Sequence, residues 1–237
     1  MEAAGYATLT RQSGLMREMQ IVANNIANTA TNGYRAEGLV FSEFVRRTEG
    51  GPSLSMARGN IPVTSRAQGP LAATGGRFDF AIEGEGFFLI ETPEGERLTR
   101  AGAFALSANG DLVTADGFRV LDAGGAPVFV PPDIDEPGLA PDGTLSGDGR
   151  PLAQLGLFRP VGDGALTRVG GNLYESPAGV EPVVEGQILQ GFLEGSNVDP
   201  MAQIARLIEV QRAYEMGQSF LDTENERVRD AIDTFTR

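Results

Sequence analysis

The side chains that could carry chemistry in this chain are few. Asp79, Glu83 and Glu85 share strand parity, so an extended backbone sets three carboxylates on one face, the raw material of acid–base hydrolysis. A solvated strand face shows the same pattern with no catalysis at all. Asp142, Thr144, Ser146 and Asp148 stand at calcium-loop offsets, yet the twelfth position is Ala153 where a bidentate Glu is required, and a Gly-rich hairpin accounts for the stretch. The segment "GEGFFL" from Gly84 opens like a dinucleotide fingerprint, but Leu89 replaces the third glycine and no helical pattern succeeds it. The chain of 237 residues has no His, Cys or Trp, and its 19 basic residues are all Arg. Imidazole bases, thiolate nucleophiles, ordinary zinc sites and Schiff-base lysines are thereby removed. No catalytic, cofactor or metal site is expected. A net charge of −13 opposes binding to nucleic acid or to an anionic bilayer.

If the chain is not chemical, its long periodic segments carry the information. Leu9, Gln12, Met16, Met19, Ala23 and Ile26 keep a three-four spacing that lines one face of a helix. That helix runs into amides, Asn24, Asn25, Asn28 and Asn32, and closes on Gly33, a residue suited to a left-handed stop. At the other end Asp199 is a good N-cap and Pro200 falls at the first helical position. Beyond them Leu207, Tyr214, Leu221, Val228 and Phe235 recur every seven residues, with Ile204, Gln211, Gln218, Asn225 and Ile232 as the companion series. About 36 residues rising ~1.5 Å each make a rod of ~54 Å. The amides of the companion series predict more than two helices around the seam, since buried amides fix register only when each finds a partner. Amides at the wet edge of an ordinary bundle would give the same series.

Between the helices, short runs of alternating polarity such as "RFDFAIEG" and "AFALSANGDLVTADGFRVL" are separated by turn signals at Asn109-Gly110, Asp116-Gly117 and Asp148-Gly149. They predict an antiparallel β domain over 76–180, closed as a sandwich or barrel. The expected organisation is α+β, mainly β by domain: an N-terminal helical segment over 1–36, an extended linker over 37–75, the β domain, a return linker over 181–198, and a C-terminal helix over 199–237. The two helices are expected to pair as a coiled-coil-like bundle. The N-terminal residues hold Glu2 and no apolar core, so a cleaved secretory leader is not expected. No run approaches the ~20 apolar residues of a membrane span, so membrane insertion is not expected either.

The segments "ANNIANTATNGYRA", "FDFAIEGEGFFLI", "LTRAGAFALSANGDLVTADGFRVL" and "LEGSNVDP" followed by "LIEVQRAYEMGQSFLDT" resemble the flagellar basal-body rod and hook family, and together they span nearly the whole chain. By length and linker the chain is most similar to the proximal-rod branch, with the distal-rod branch as the alternative. The resemblance implies a structural subunit of a hollow axial rod in the periplasm, its paired terminal helices forming an inner tube and its β domain facing outward. It implies copies of itself and other rod proteins as partners, and the flagellar type III apparatus as the export route. The tail "ENERVRDAIDTFTR" departs from the short apolar finish of the family. A soluble β-domain binding module dimerised by its helices is the competing class.

On this reading Leu9, Met16, Met19, Ile26, Ile204, Leu207, Tyr214, Leu221 and Val228 are the packing positions. Gln211, Gln218 and Asn225 are expected to set register. A packed helix end cannot leave its last carbonyls to water, and each amide brings donors and an acceptor. Asn24 and Asn28, on one face, are therefore expected to bond backbone in the following linker or in an adjacent subunit, with Asn25 in the same helix-end set and Asn32 and Gly33 shaping the exit. In an isolated fold the same residues would be ordinary capping and turn residues.

Overall fold

The computed structural model describes residues 2–46, 54–134, 137–162, 166–183 and 185–235, and side chains outside 2–7, 41–60 and 235. The chain is mostly β with one helix at each end, and it divides into two units. One comprises 1–27, 37–65 and 199–237; the other comprises 28–36 and 66–198.

The first unit holds helix α1 (Glu2–Ala27), strands β1 (Glu37–Arg46) and β2 (Leu54–Thr64), and helix α2 (Pro200–Phe235). Helix α2 begins where the sequence places its cap: the Asp199 carboxylate accepts from the amides of Met201 at 2.9 Å and Ala202 at 3.2 Å. That satisfies donors every helix start leaves open. Strands β1 and β2 form an antiparallel hairpin in which Glu37 faces Thr64 and Arg46 faces Leu54, with a bulge between Val40 and Phe41.

The second unit is built of short antiparallel strands. In chain order they are β3 (Leu71–Ala73), β4 (Phe80–Glu83), β5 (Phe88–Thr92), β6 (Gly95–Thr99), β7 (Phe104–Leu106), β8 (Leu112–Thr114), β9 (Arg119–Val120) and β10 (Pro137–Leu139). Then come β11 (Thr144–Gly147), β12 (Arg150–Gln154), β13 (Phe158–Pro160), β14 (Thr167–Gly170), β15 (Leu173–Glu175), β16 (Val180–Pro182), β17 (Gln187–Gln190) and β18 (Phe192–Glu194). The largest sheet runs β14-β15-β6-β5-β9-β8-β7 and is open at both edges; β10-β11-β12 form a second, and β13-β16, β17-β4 and β18-β3 pair in twos. Asp148-Gly149 joins β11 to β12 with both residues at positive φ, 51° and 74°, the geometry of a tight two-residue hairpin.

Strand β5 explains the layering. The period of two sends Phe88 and Ile90 to one face, into a core with Phe80, Ile82, Phe104 and Leu112, while Phe87 and Leu89 enter a second cluster with Leu98, Leu121, Phe158 and Tyr174. Phe88 meets Phe104 edge-on at 5.3 Å between centroids. Each such fully buried side chain stabilises the unit by about 1.5–3 kcal/mol relative to exposure.

Three sequence expectations are corrected here. The N-terminal helix ends at Ala27, and 28–36 fold with the β unit. The stretch 37–75 contains the paired strands β1 and β2, and then β3. The stretch 181–198 supplies β17 and β18, which pair with β4 and β3. In the last two stretches Gly and Pro suggested loop, but the backbone pairs, β1 with β2 across a hairpin and β17 and β18 with β4 and β3 distant in sequence, and local composition does not encode such pairing.

Candidate functional site

Within the first unit, α1 and α2 run antiparallel, as three contacts establish. Gln12 Nε2 donates to the Tyr214 carbonyl at 2.9 Å, Arg206 Nε to Glu18 Oε1 at 2.7 Å, and Asn25 Nδ2 to Gln203 Oε1 at 3.1 Å. Gly217 leaves the space that the Gln12 amide occupies, since a Cβ there would sit 2.3 Å from Gln12 Nε2. Charge-assisted bonding to Glu18 also raises the Arg206 pKa.

The buried stripe of α1 is Gln12, Leu15, Glu18, Val22 and Asn25, met on α2 by the buried Val210. This is displaced from the expected seam. Leu9 and Met16 are 54% and 50% exposed, Met19 and Ile26 are half-buried, Leu207, Tyr214 and Leu221 are half-buried, and Ile204 and Val228 are exposed. The phase differs because the positions facing α2 are polar residues satisfied by specific partners, which an apolar count overlooks. Gln211 and Gln218 bond along their own helix, to Glu215 Oε1 and the Tyr214 hydroxyl, both at 3.0 Å.

The asparagines divide between the units. Asn25 ties the helix to strand β1: its Oδ1 accepts from the Glu37 amide at 3.0 Å and its Nδ2 donates to the Glu37 carbonyl at 2.8 Å. Asn24 is exposed. In the β unit Asn28 shapes a turn, accepting from the Thr31 amide at 3.2 Å and from the Thr31 hydroxyl at 3.1 Å. The Asn32 carbonyl accepts from Asn172 Nδ2. Gly33 has φ of +69°, and a Cβ would lie 2.3 Å from the Arg100 carbonyl carbon, so both conformation and space demand glycine. Its amide donates to the Glu194 carbonyl at 2.7 Å.

Next to Gly33 is the centre that sequence reasoning missed. Glu194, 1% exposed, receives Arg35 at 2.8 Å on Oε1 and Arg100 at 3.0 Å on Oε2, and its Oε1 also accepts from the Gly69 amide at 2.8 Å. Arg100 donates further to the Gly84 carbonyl at 2.6 Å. Burial lowers the pKa of Arg35, and lowers that of Arg100 to about 10, against the opposing pull of Glu194; Arg100 therefore stays cationic at neutral pH. The Arg168 guanidinium stacks between Tyr34 at 4.3 Å and Tyr174 at 4.9 Å and donates to the Arg35 carbonyl. Asn197 closes the cluster: Oδ1 accepts from the Ala36 amide at 2.6 Å and Nδ2 donates to the Ala67 carbonyl at 2.7 Å. The segments "NGYRA", "LTRAG" and "LEGSN" thus converge on one buried carboxylate. The available signal was that three separate motifs each carry a charged residue close to a glycine.

The carboxylates considered for hydrolysis do not form a catalytic pair. Asp79 accepts from the Thr74 hydroxyl at a turn, and Glu83 and Glu85 are exposed. The described residues hold no group of three or more His, Cys, Asp or Glu able to bind a metal ion. No described helix is long and apolar enough to cross a membrane. The arrangement offers a rigid junction in one unit and a helix pair with uncovered apolar side chains in the other.

Comparison with known proteins adds two family matches. Residues 81–147 match the flagellar hook protein FlgE/F/G D1 domain, and residues 189–234 match the flagellar basal body rod FlgEFG protein C-terminal region. The chain is 38% identical to the flagellar basal-body rod protein FlgF of Caulobacter vibrioides, with 98% of each chain covered. It is 34% identical to the FlgF of Rhizobium meliloti over 99% of this chain and 98% of that one. It is 35% identical to the basal-body rod protein FlgG of Agrobacterium fabrum over 88% and 90%.

Proposed function

This chain belongs to the flagellar basal-body rod protein family, and from that membership we propose that it is a proximal-rod subunit whose α1–α2 pair packs against copies of itself and other rod proteins to build a hollow, torque-transmitting shaft. It is a structural protein of the basal body, not an enzyme. The end-to-end match with FlgF-named relatives supports the proximal position over the distal one.

One observation carries the mechanical reading: the apolar side chains α2 leaves uncovered. Met201 is 75% exposed, Met216 66% and Ile232 55%, and Ile204, Ile208, Phe220 and Val228 fall between 44% and 46%. Single exposed apolar residues need no explanation, but a ring of them around a 36-residue helix asks for neighbours on more than one side. Head-to-tail contacts that do not close on themselves generate a helical array. In such an array the half-buried Leu207, Tyr214 and Leu221 continue the seam as coiled-coil positions, Leu9, Met16, Ile204 and Val228 face adjacent helices, and Gln211, Gln218 and Asn225 exchange water for amide partners. Passage through the flagellar type III apparatus, unfolded, suits a chain without cysteines.

The test uses positions whose exposure leaves the monomer indifferent. Ile204→Asp with Met216→Asp is expected to preserve the circular dichroism and melting temperature of the purified chain while abolishing rods and swimming in cells that lack the native copy. Normal motility with intact basal bodies would overturn the proposal.

A further inference from the structure

Every methionine of the chain falls in the sequence segments of the first unit: Met1, Met16, Met19, Met56, Met201 and Met216 lie within 1–27, 37–65 and 199–237, and the β unit has none. With no Cys, His or Trp in the sequence, the thioether is the one side chain here that readily takes an oxygen atom from a peroxide. The tyrosines of the β unit, Tyr34 and Tyr174, are buried besides. Among the described methionine side chains, Met201 and Met216 on α2 are 75% and 66% exposed, Met16 on α1 is 50% exposed, and Met19 is half-buried. Met201 stands in the first turn of α2, and Met216 edges a groove of the helix pair with Leu15, Gly217 and Phe220. Peroxide in solution therefore meets its sulfur targets on the helices and none on the β unit.

Methionine suits a surface that must fit more than one neighbour, because its unbranched chain and polarizable sulfur adapt to irregular contacts. The same sulfur makes that surface oxidisable. We propose that Met201 and Met216 are a modification site for hydrogen peroxide in the free chain, and that their sulfoxides stop α2 from packing against the next subunit. The sulfur lone pair attacks one peroxide oxygen, the S–O bond forms as the O–O bond breaks, and the departing hydroxide takes the remaining proton and leaves as water. Sulfur is oxidised by two electrons and the peroxide is reduced by two. The sulfoxide is a strong acceptor where the contact offers apolar atoms, and an acceptor buried without a donor opposes association. A methionine sulfoxide reductase returns the thioether, so the block is reversible. The loss of packing rests on the α2 contacts proposed above, whereas the selectivity of oxidation in the free chain does not, so the two fail separately.

The test exposes the purified full-length chain to hydrogen peroxide and follows oxygen uptake at each methionine by peptide mass spectrometry. Met201 and Met216 are expected to gain oxygen first and Met19 about fivefold more slowly, with one common rate for all in concentrated urea. Equal rates at Met19 and Met201 in the folded chain overturn the site. In isolated basal bodies Met201 and Met216 are expected to oxidise about tenfold more slowly than in the free chain, because assembly covers them. Met201→Gln with Met216→Gln sets a neutral polar group of similar length at both positions; the melting temperature of the purified chain is expected to hold, and rods and swimming to fall severalfold in cells that lack the native copy. Methionines that oxidise as fast in basal bodies as in the free chain, or normal rods from the glutamine variant, overturn the block on packing. Basal bodies that lack the chain overturn the rod reading, and the block falls with it, while the selectivity measured in the free chain stands.

Discussion

Replacing Glu194 by Gln tests the junction most directly, because shape is kept and only the charge is lost. Glu194 holds two guanidinium groups, at 2.8 Å and 3.0 Å, and both arginines and the carboxylate are at most 3% exposed. At an effective dielectric near 20, each contact close to 3 Å is worth about 5–6 kcal/mol gross, most of it offset by desolvation. The glutamine amide can still accept from Gly69, but it turns an N–H toward one guanidinium and leaves two like charges buried together. Breaking a buried pair in this way costs about 3–5 kcal/mol. At about 2–4 °C per kcal/mol for a unit of this size, the β unit should melt about 6–20 °C lower. Calorimetry of the full-length chain measures this, with Glu181→Gln as control: the Arg159–Glu181 pair is 53% and 38% exposed at its side chains and contributes no more than about 1 kcal/mol. Equal melting shifts in the two variants would refute the reasoning, since the junction would then be as solvated as a surface pair.

The asparagine-rich stretch yields two more expected outcomes. Asn25→Ala removes the side-chain partner of the Glu37 amide along with the bonds to the Glu37 carbonyl and to Gln203; a loss of about 1–3 kcal/mol is expected, read as faster amide exchange at Glu37, and unchanged protection there would contradict the assignment. Gly33→Ala forces a Cβ against the Arg100 backbone at positive φ, so it should destabilise the β unit by more than about 1 kcal/mol in thermal melts; a neutral result would mean that the Asn32–Tyr34 turn is free to rearrange.

The part of this protein that its sequence determined alone is local and periodic. Asp199-Pro200 starts α2, Asp148-Gly149 turns a hairpin, and residue types alone remove imidazole, thiolate and Schiff-base chemistry, because caps and φ preferences depend on nearest neighbours and a missing functional group depends on nothing else. The quoted motifs also carried the family without any knowledge of contacts. Only the tertiary structure decided which face of α1 turns inward: Gln12, Glu18 and Asn25 are buried because α2 and β1 offer Tyr214, Arg206, Gln203 and Glu37 as partners, and a polar residue's burial is a property of its partner. The same reason hid the Arg35–Glu194–Arg100 bridge. Its members stand up to 159 residues apart, and nothing in the local pattern of an arginine distinguishes one that will meet a buried carboxylate from one that will face water.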